Sequence, residues 1–198
     1  MSVYWAKFEL KNNHLYRFDT RIYLKPILYP SDKDICTGAV VGKNPGSAKP
    51  YDNNSSSIQK IQLENDQLLP NIKSILVKAY QRAKKPIPRN SYVQILNLFY
   101  ICDRNLDQAL KKIDSHPNPI ICGTEEKNFP FLWYVWGGDN KKLNFYKSRI
   151  LNIKSDKYFY LDTNTKKVIT VAPRLSDSAR HTQGMQHDLI IPFISTIL

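Results

Sequence analysis

The chain has 198 residues, with 29 Lys plus Arg against 17 Asp plus Glu, a formal net charge of +12 and a 42% hydrophobic share. That is enough for one domain, 1–198, with a buried core, and too apolar for a disordered chain. No apolar run approaches the ~20 residues that cross a bilayer, MSVYWAKFEL lacks the layout of a secretory leader, and the odd set Cys36, Cys102 and Cys122 speaks against a disulfide scaffold.

The apolar runs are short and bounded by turn residues: DICTGAVVG (34–42), SYVQILNLF (91–99), NPIICG (118–123), FPFLWYVWGG (129–138) and KKVITVAP (166–173). Such runs fit strands buried on both faces of a sheet. Between them, helical spacing links Ile72, Ile75, Leu76, Ala79 and Tyr80, then Leu106, Ala109, Leu110 and Ile113, then Leu143, Tyr146 and Ile150. A last helix runs from about Met185 to Ile197, interrupted by Pro192. The polar stretch 47–57 reads as a loop. Strands alternating with helices predict an α/β fold with a largely parallel sheet, whose working loops leave the carboxyl ends of strands. Those places are just after Val41, Leu98, Val135 and Val171.

The basic surplus is spread along the chain. Residues 1–99 carry 15 basic and 7 acidic side chains, residues 100–198 carry 14 and 10, and no acid lies between Asp66 and Asp103. A folded face of scattered Lys and Arg suits the backbone of double-stranded DNA, or is simply a soluble basic surface.

The sharpest local feature is AVVGKNPGSAKP (39–50). Gly42 and Gly46 permit tight turns and Pro45 fixes one dihedral, so Asn44 is held on a stiff loop where it can orient a water molecule, or merely end a strand in an Asn-Pro turn. The GxxxxGK[ST] phosphate loop is absent. Asn97, between Leu96 and Leu98, needs a partner for its amide, either neighbouring backbone or a ligand base.

GKNPG resembles the first motif of the uracil-DNA glycosylase superfamily, above all its mismatch-specific branch, whose loop reads Gly-x-Asn-Pro-Gly. The resemblance implies a three-layer α/β/α sandwich around a central, mostly parallel four-stranded sheet. It gives Asn44 the positioning of the hydrolytic water. The uracil-specific branch has a Tyr where this chain has Gly46, so the opening admits a base enlarged at C5. VQILNLFYICDRNLDQAL (93–110) is similar to the superfamily strand whose central Asn reads the flipped base, a role that falls on Asn97. FLWYVWGG (131–138) is similar to its apolar strand ending in Trp-Gly. The last motif departs from the pattern. In VITVAPRLSDSARHTQGMQH (168–187), Ala172 stands where the family has His or Asn, Pro173 matches, and Leu175 takes the place of the duplex wedge. Arg174, His181 and His187 are the possible substitutes for the missing side chain.

The implied activity is a monofunctional DNA glycosylase that flips a pyrimidine out of the duplex and leaves an abasic site, without metal or other cofactor. Asn44 and Asp52 are the candidate catalytic groups, Asp52 being alternatively a plain Asx turn. Gly42, Gly46, Tyr51 and Asn97 bind the base; Lys43, Lys49, Arg174, Leu175, Arg180 and His181 hold DNA. The open Gly46 position points to a bulky modified pyrimidine, such as glucosylated hydroxymethylcytosine in phage DNA, and so to bacterial phage defence. A uracil or thymine mismatch glycosylase and a catalytically inactive nucleic-acid-binding module are the alternatives. The chain is expected to act as a monomer in the cytoplasm.

Overall fold

The computed structural model describes residues 1–198 except 53, 54, 56 and 115–118, and the side chain of Asp114. The fold is mixed α/β. The chain opens with β1 (Ser2–Lys11) and β2 (His14–Ile27), joined at Asn12-Asn13, both at positive φ (51° and 61°). That two-residue turn matches the twist of the flanking strands, and Asn tolerates the left-handed region better than most residues. Then come β3 (Ile35–Gly42), β4 (Lys49–Pro50), β5 (Ile58–Gln62), α1 (Leu68–Arg82), β6 (Ser91–Asn97), α2 (Leu106–Asp114) and β7 (Leu132–Tyr134). The chain closes with α3 (Asn144–Ile150), β8 (Tyr158–Leu161), β9 (Val168–Ile169) and α4 (His187–Ile197).

The strands form one sheet of order β4-β5-β1-β2-β6-β3-β7-β8-β9. β6, β3, β7 and β8 are mutually parallel, whereas β1, β2, β5, β4 and β9 pair antiparallel with their neighbours. The sheet is therefore larger and mostly antiparallel, against the central, mostly parallel four-stranded sheet expected.

The parallel strands are apolar on both faces. Val40, Ile95 and Trp133 pack with Ile72 and Leu76 of α1 and Ile190 and Ile194 of α4. Val41, Leu96 and Tyr134 pack on the opposite side with Ala109 of α2 and Tyr146 and Ile150 of α3. The alternation of inward residues thus serves two cores.

Two expected strands are corrected. Residues 119–122 of NPIICG form no strand; Cys122 packs into the second core and Gly123–Glu126 make a 3-10 turn. VITVAP contributes only the two-residue β9, which runs antiparallel to β8. α4 continues through Pro192 as one helix. The three cysteines are free, and among the described residues no helix is long and apolar enough to cross a membrane.

Candidate functional site

β3 ends at Gly42, and the turn after it carries Lys43, Asn44, Pro45 and Gly46 along the carboxyl edge of the parallel strands. Asn44 is half-buried, and its Nδ2 donates to the carbonyl of Asp103 at 2.6 Å. The Asp103 side chain is anchored in turn. Asp103 Oδ1 accepts from the Asn105 amide at 2.8 Å, and Oδ2 from Lys112 Nζ at 2.7 Å. Burial works against the charged Asp103, but the Lys112 and Asn105 contacts outweigh it and keep its carboxyl below the ordinary value. With the amide nitrogen committed, Asn44 Oδ1 is the atom left to accept a hydrogen bond.

Asn44 lines a cleft of about 350 Å³ with Pro45, Gly46, Asp66, Leu68 and His181, a size within the range of ~300–1,000 Å³ usual for small-molecule sites. A neighbouring recess of about 440 Å³ continues from Gly46 and Ser47 to Lys49, Glu64 and Arg104. Gly46 has φ +69°, and a Cβ built on it meets nothing within 4 Å, so the space beside it is open. At the rim Glu64 bridges Lys49 (2.8 Å) and Arg104 (3.1 Å).

His181 reaches the cleft by a route the sequence did not reveal. After β9 the chain loops back, and Ala179 bridges both Gly137 and Asp162 beyond the ends of β7 and β8. The Gly137 amide donates to the Ala179 carbonyl at 2.7 Å, and the Arg180 amide donates to the Leu161 carbonyl at 2.8 Å. His181 Nδ1 accepts from the Gln183 amide at 3.2 Å, which leaves Nε2 to carry the proton of the neutral ring. Burial first, and the charge of Lys43 second, push its pKa below the ordinary 6.5, so the ring is neutral at pH 7. Of the three candidate substitutes for the last motif, His181 alone lines this cleft. His187 lies on α4 with its Nδ1 3.4 Å from Lys78 Nζ, and Arg174 is exposed with its amide donating to Asp177 Oδ2 at 2.8 Å. The loop bearing Leu175 is pinned elsewhere: Lys147, fully buried on α3, donates from Nζ to the Leu175 carbonyl at 2.6 Å. Arg180 donates to the Gly184 carbonyl at 3.1 Å.

Asp52 and Tyr51 are not among the residues that line the cleft. They follow β4 at the far edge of the sheet, where Gln59 accepts from the Asp52 amide at 2.6 Å and Lys60 Nζ sits 5.8 Å from the Tyr51 ring centre. The carboxylate in the cleft is instead Asp66. Its Oδ1 accepts from the Leu68 amide at 2.9 Å, and its Oδ2 lies 3.4 Å from Nη1 of the fully buried Arg17. Its only sequence cue was a place just before an amphipathic helix.

Asn97 ends β6 opposite Gly42, is fully buried, and has no hydrogen-bond partner for Nδ2 or Oδ1 among the described residues. A Cβ on Gly42 would stand 3.0 Å from Asn97 Oδ1 and 3.2 Å from Leu68 Cδ2, so a side chain there would press on both. No group of three His, Cys, Asp or Glu suited to a metal occurs among the described residues.

The fold and cleft thus define a mixed α/β protein with a polar cleft at the carboxyl edge of its parallel strands. Comparison with family models, curated proteins and solved structures finds no match to this chain.

Proposed function

We propose that the chain is a DNA glycosylase acting on a pyrimidine flipped from double-stranded DNA. The observation that carries this reading is Asn44: an amide whose nitrogen is fixed on the Asp103 carbonyl and whose oxygen is left to accept, on the wall of a base-sized cleft. The parallel block β6-β3-β7-β8 with helices on both faces supports a glycosylase-like sandwich, here extended by antiparallel strands.

In the reaction, the C1′–N1 bond breaks and its electron pair leaves on the base, giving an oxocarbenium-like sugar. Asn44 Oδ1 accepts from a water whose oxygen bonds C1′, and the proton released ends on the departing base. His181, neutral with Nε2–H, donates to a base oxygen as negative charge grows there. Lys43, Lys49, Arg104 and Arg180 offer positive charge to phosphates, which offsets the few kcal/mol spent on flipping.

The open position at Gly46 favours a base enlarged at C5, glucosylated hydroxymethylcytosine of phage DNA being the example to test. Incubation of the chain with DNA carrying that base, with uracil–guanine or thymine–guanine mismatches, and with unmodified DNA gives abasic sites in the first alone. Sites only at the mismatches reassign the substrate. Sites in none, together with tight duplex binding, leave a binding module.

A further inference from the structure

Two fully buried polar side chains have most of their hydrogen-bonding capacity unused. Arg17, on β2, is 0% exposed; its Nη1 lies 3.4 Å from Asp66, while Nε and Nη2 have no partner. Asn97, on β6, is equally buried, with Nδ2 and Oδ1 both unpartnered. β2 and β6 are hydrogen-bonded neighbours. One short segment comes close to both: Asp66 Oδ2 lies 3.4 Å from Arg17 Nη1, and Leu68 Cδ2 and Asn97 Oδ1 flank the same side of Gly42. Both Asp66 and Leu68 line the cleft itself. Buried polar groups are paired in the great majority of cases, and a guanidinium more strictly than most. Four idle atoms beside one wall are what a ligand's polar edge would satisfy.

We infer that Arg17 and Asn97 form a single base-reading subsite beside the Asp66–Leu68 wall, engaged when that wall moves aside. This rests on the glycosylase reading of the cleft. The chemistry of the pair specifies its ligand. Arg17 offers donors alone, whereas Asn97 offers one donor and one acceptor. Together they match a pyrimidine edge that presents a carbonyl oxygen to the guanidinium and an acceptor–donor pair to the amide. Arg17 is then a specificity residue supplied from outside all the motifs, by a strand before the first of them.

The test uses full-length Asn44→Ala protein, which retains the base on its substrate. It is titrated with a duplex carrying one glucosylated hydroxymethylcytosine and with the same duplex carrying a tetrahydrofuran abasic site. The Arg17 Nε–H and Asn97 side-chain amide resonances move with the base-bearing duplex and stay in place with the abasic one. Adding Arg17→Met lowers affinity for the base-bearing duplex by roughly ten- to a hundredfold and leaves the abasic duplex within about twofold. Equal resonance shifts with both duplexes, or equal losses of affinity for both, overturn the inference while leaving the cleft a DNA site. Binding of neither duplex overturns the glycosylase reading and this subsite with it. If the Arg17→Met chain does not fold, the resonances decide alone.

Discussion

Asn44, Asp103 and Lys112 form a chain of support that turns an ordinary loop amide into a fixed acceptor. On the proposed glycosylase reading, removing it would take away the guide for the attacking water and leave the proposed phosphate contacts in place. Asn44→Ala is therefore expected to lower single-turnover base release by about a hundredfold or more, with duplex affinity by fluorescence anisotropy unchanged within about twofold. His181 carries a pH signature. Its folded-state pKa is depressed by burial and by Lys43, so just below 6.5 the unfolded chain binds protons more readily than the folded one. Stability is then present above that value and falls as pH drops through the window beneath it. Burial and Lys78 give His187 the same sign. Thermal melts of His181→Gln should fall less steeply on acidification than those of the unsubstituted chain, and an identical slope would contradict the assignment. At this scale the sequence exposed Asn44, Asn97 and Gly46 because turn chemistry and a polar residue in an apolar run are local signals. Asp66 and Arg17 stayed hidden because their pairing spans 49 residues.

Among the elements, β3, β6 and the four helices were legible: continuous apolar runs and 3.6-residue spacing survive without tertiary help. The β1–β2 hairpin was missed although Asn12-Asn13 is a turn signal, because Arg17 and Arg21 interrupt the inward positions of β2 yet are buried and paired with Asp66 and Asp19. β8, YFYL, is four residues long and gains its partners only from β7 and β9. NPIICG carries the same apolar density as a strand, but its described residues, 119–123, make no ladder. The contact between β3 and β6 also gives a direct prediction. Gly42→Ala places a methyl 3.0 Å from Asn97 Oδ1 and 3.2 Å from Leu68 Cδ2. Overpacking of this kind costs about 1–3 kcal/mol, measurable by urea unfolding, and it should impair base release more than affinity for abasic duplex.

Over the whole molecule, the net charge of +12 suits a phosphate backbone, with Lys49 and Arg104 lining the recess beside the cleft and Arg180 lining a separate pocket with Leu161 and Asp162. Duplex affinity should fall linearly with salt on logarithmic axes, and Lys49→Gln or Arg180→Gln should each reduce the slope by about 0.9. A slope unchanged in both would remove those two from the interface. The His181 segment shows why the site was only half legible: the return of the chain through Ala179 to the ends of β7 and β8 is a property of the assembled sheet, invisible in the spacing after β9. The most direct measurement is mass spectrometry of the bases released from unmodified, mismatched and glucosylated phage DNA by the chain and by its Asn44→Ala variant. Release of one modified pyrimidine by the first and not by the second is the predicted result; no base released from any of these DNAs would contradict the account.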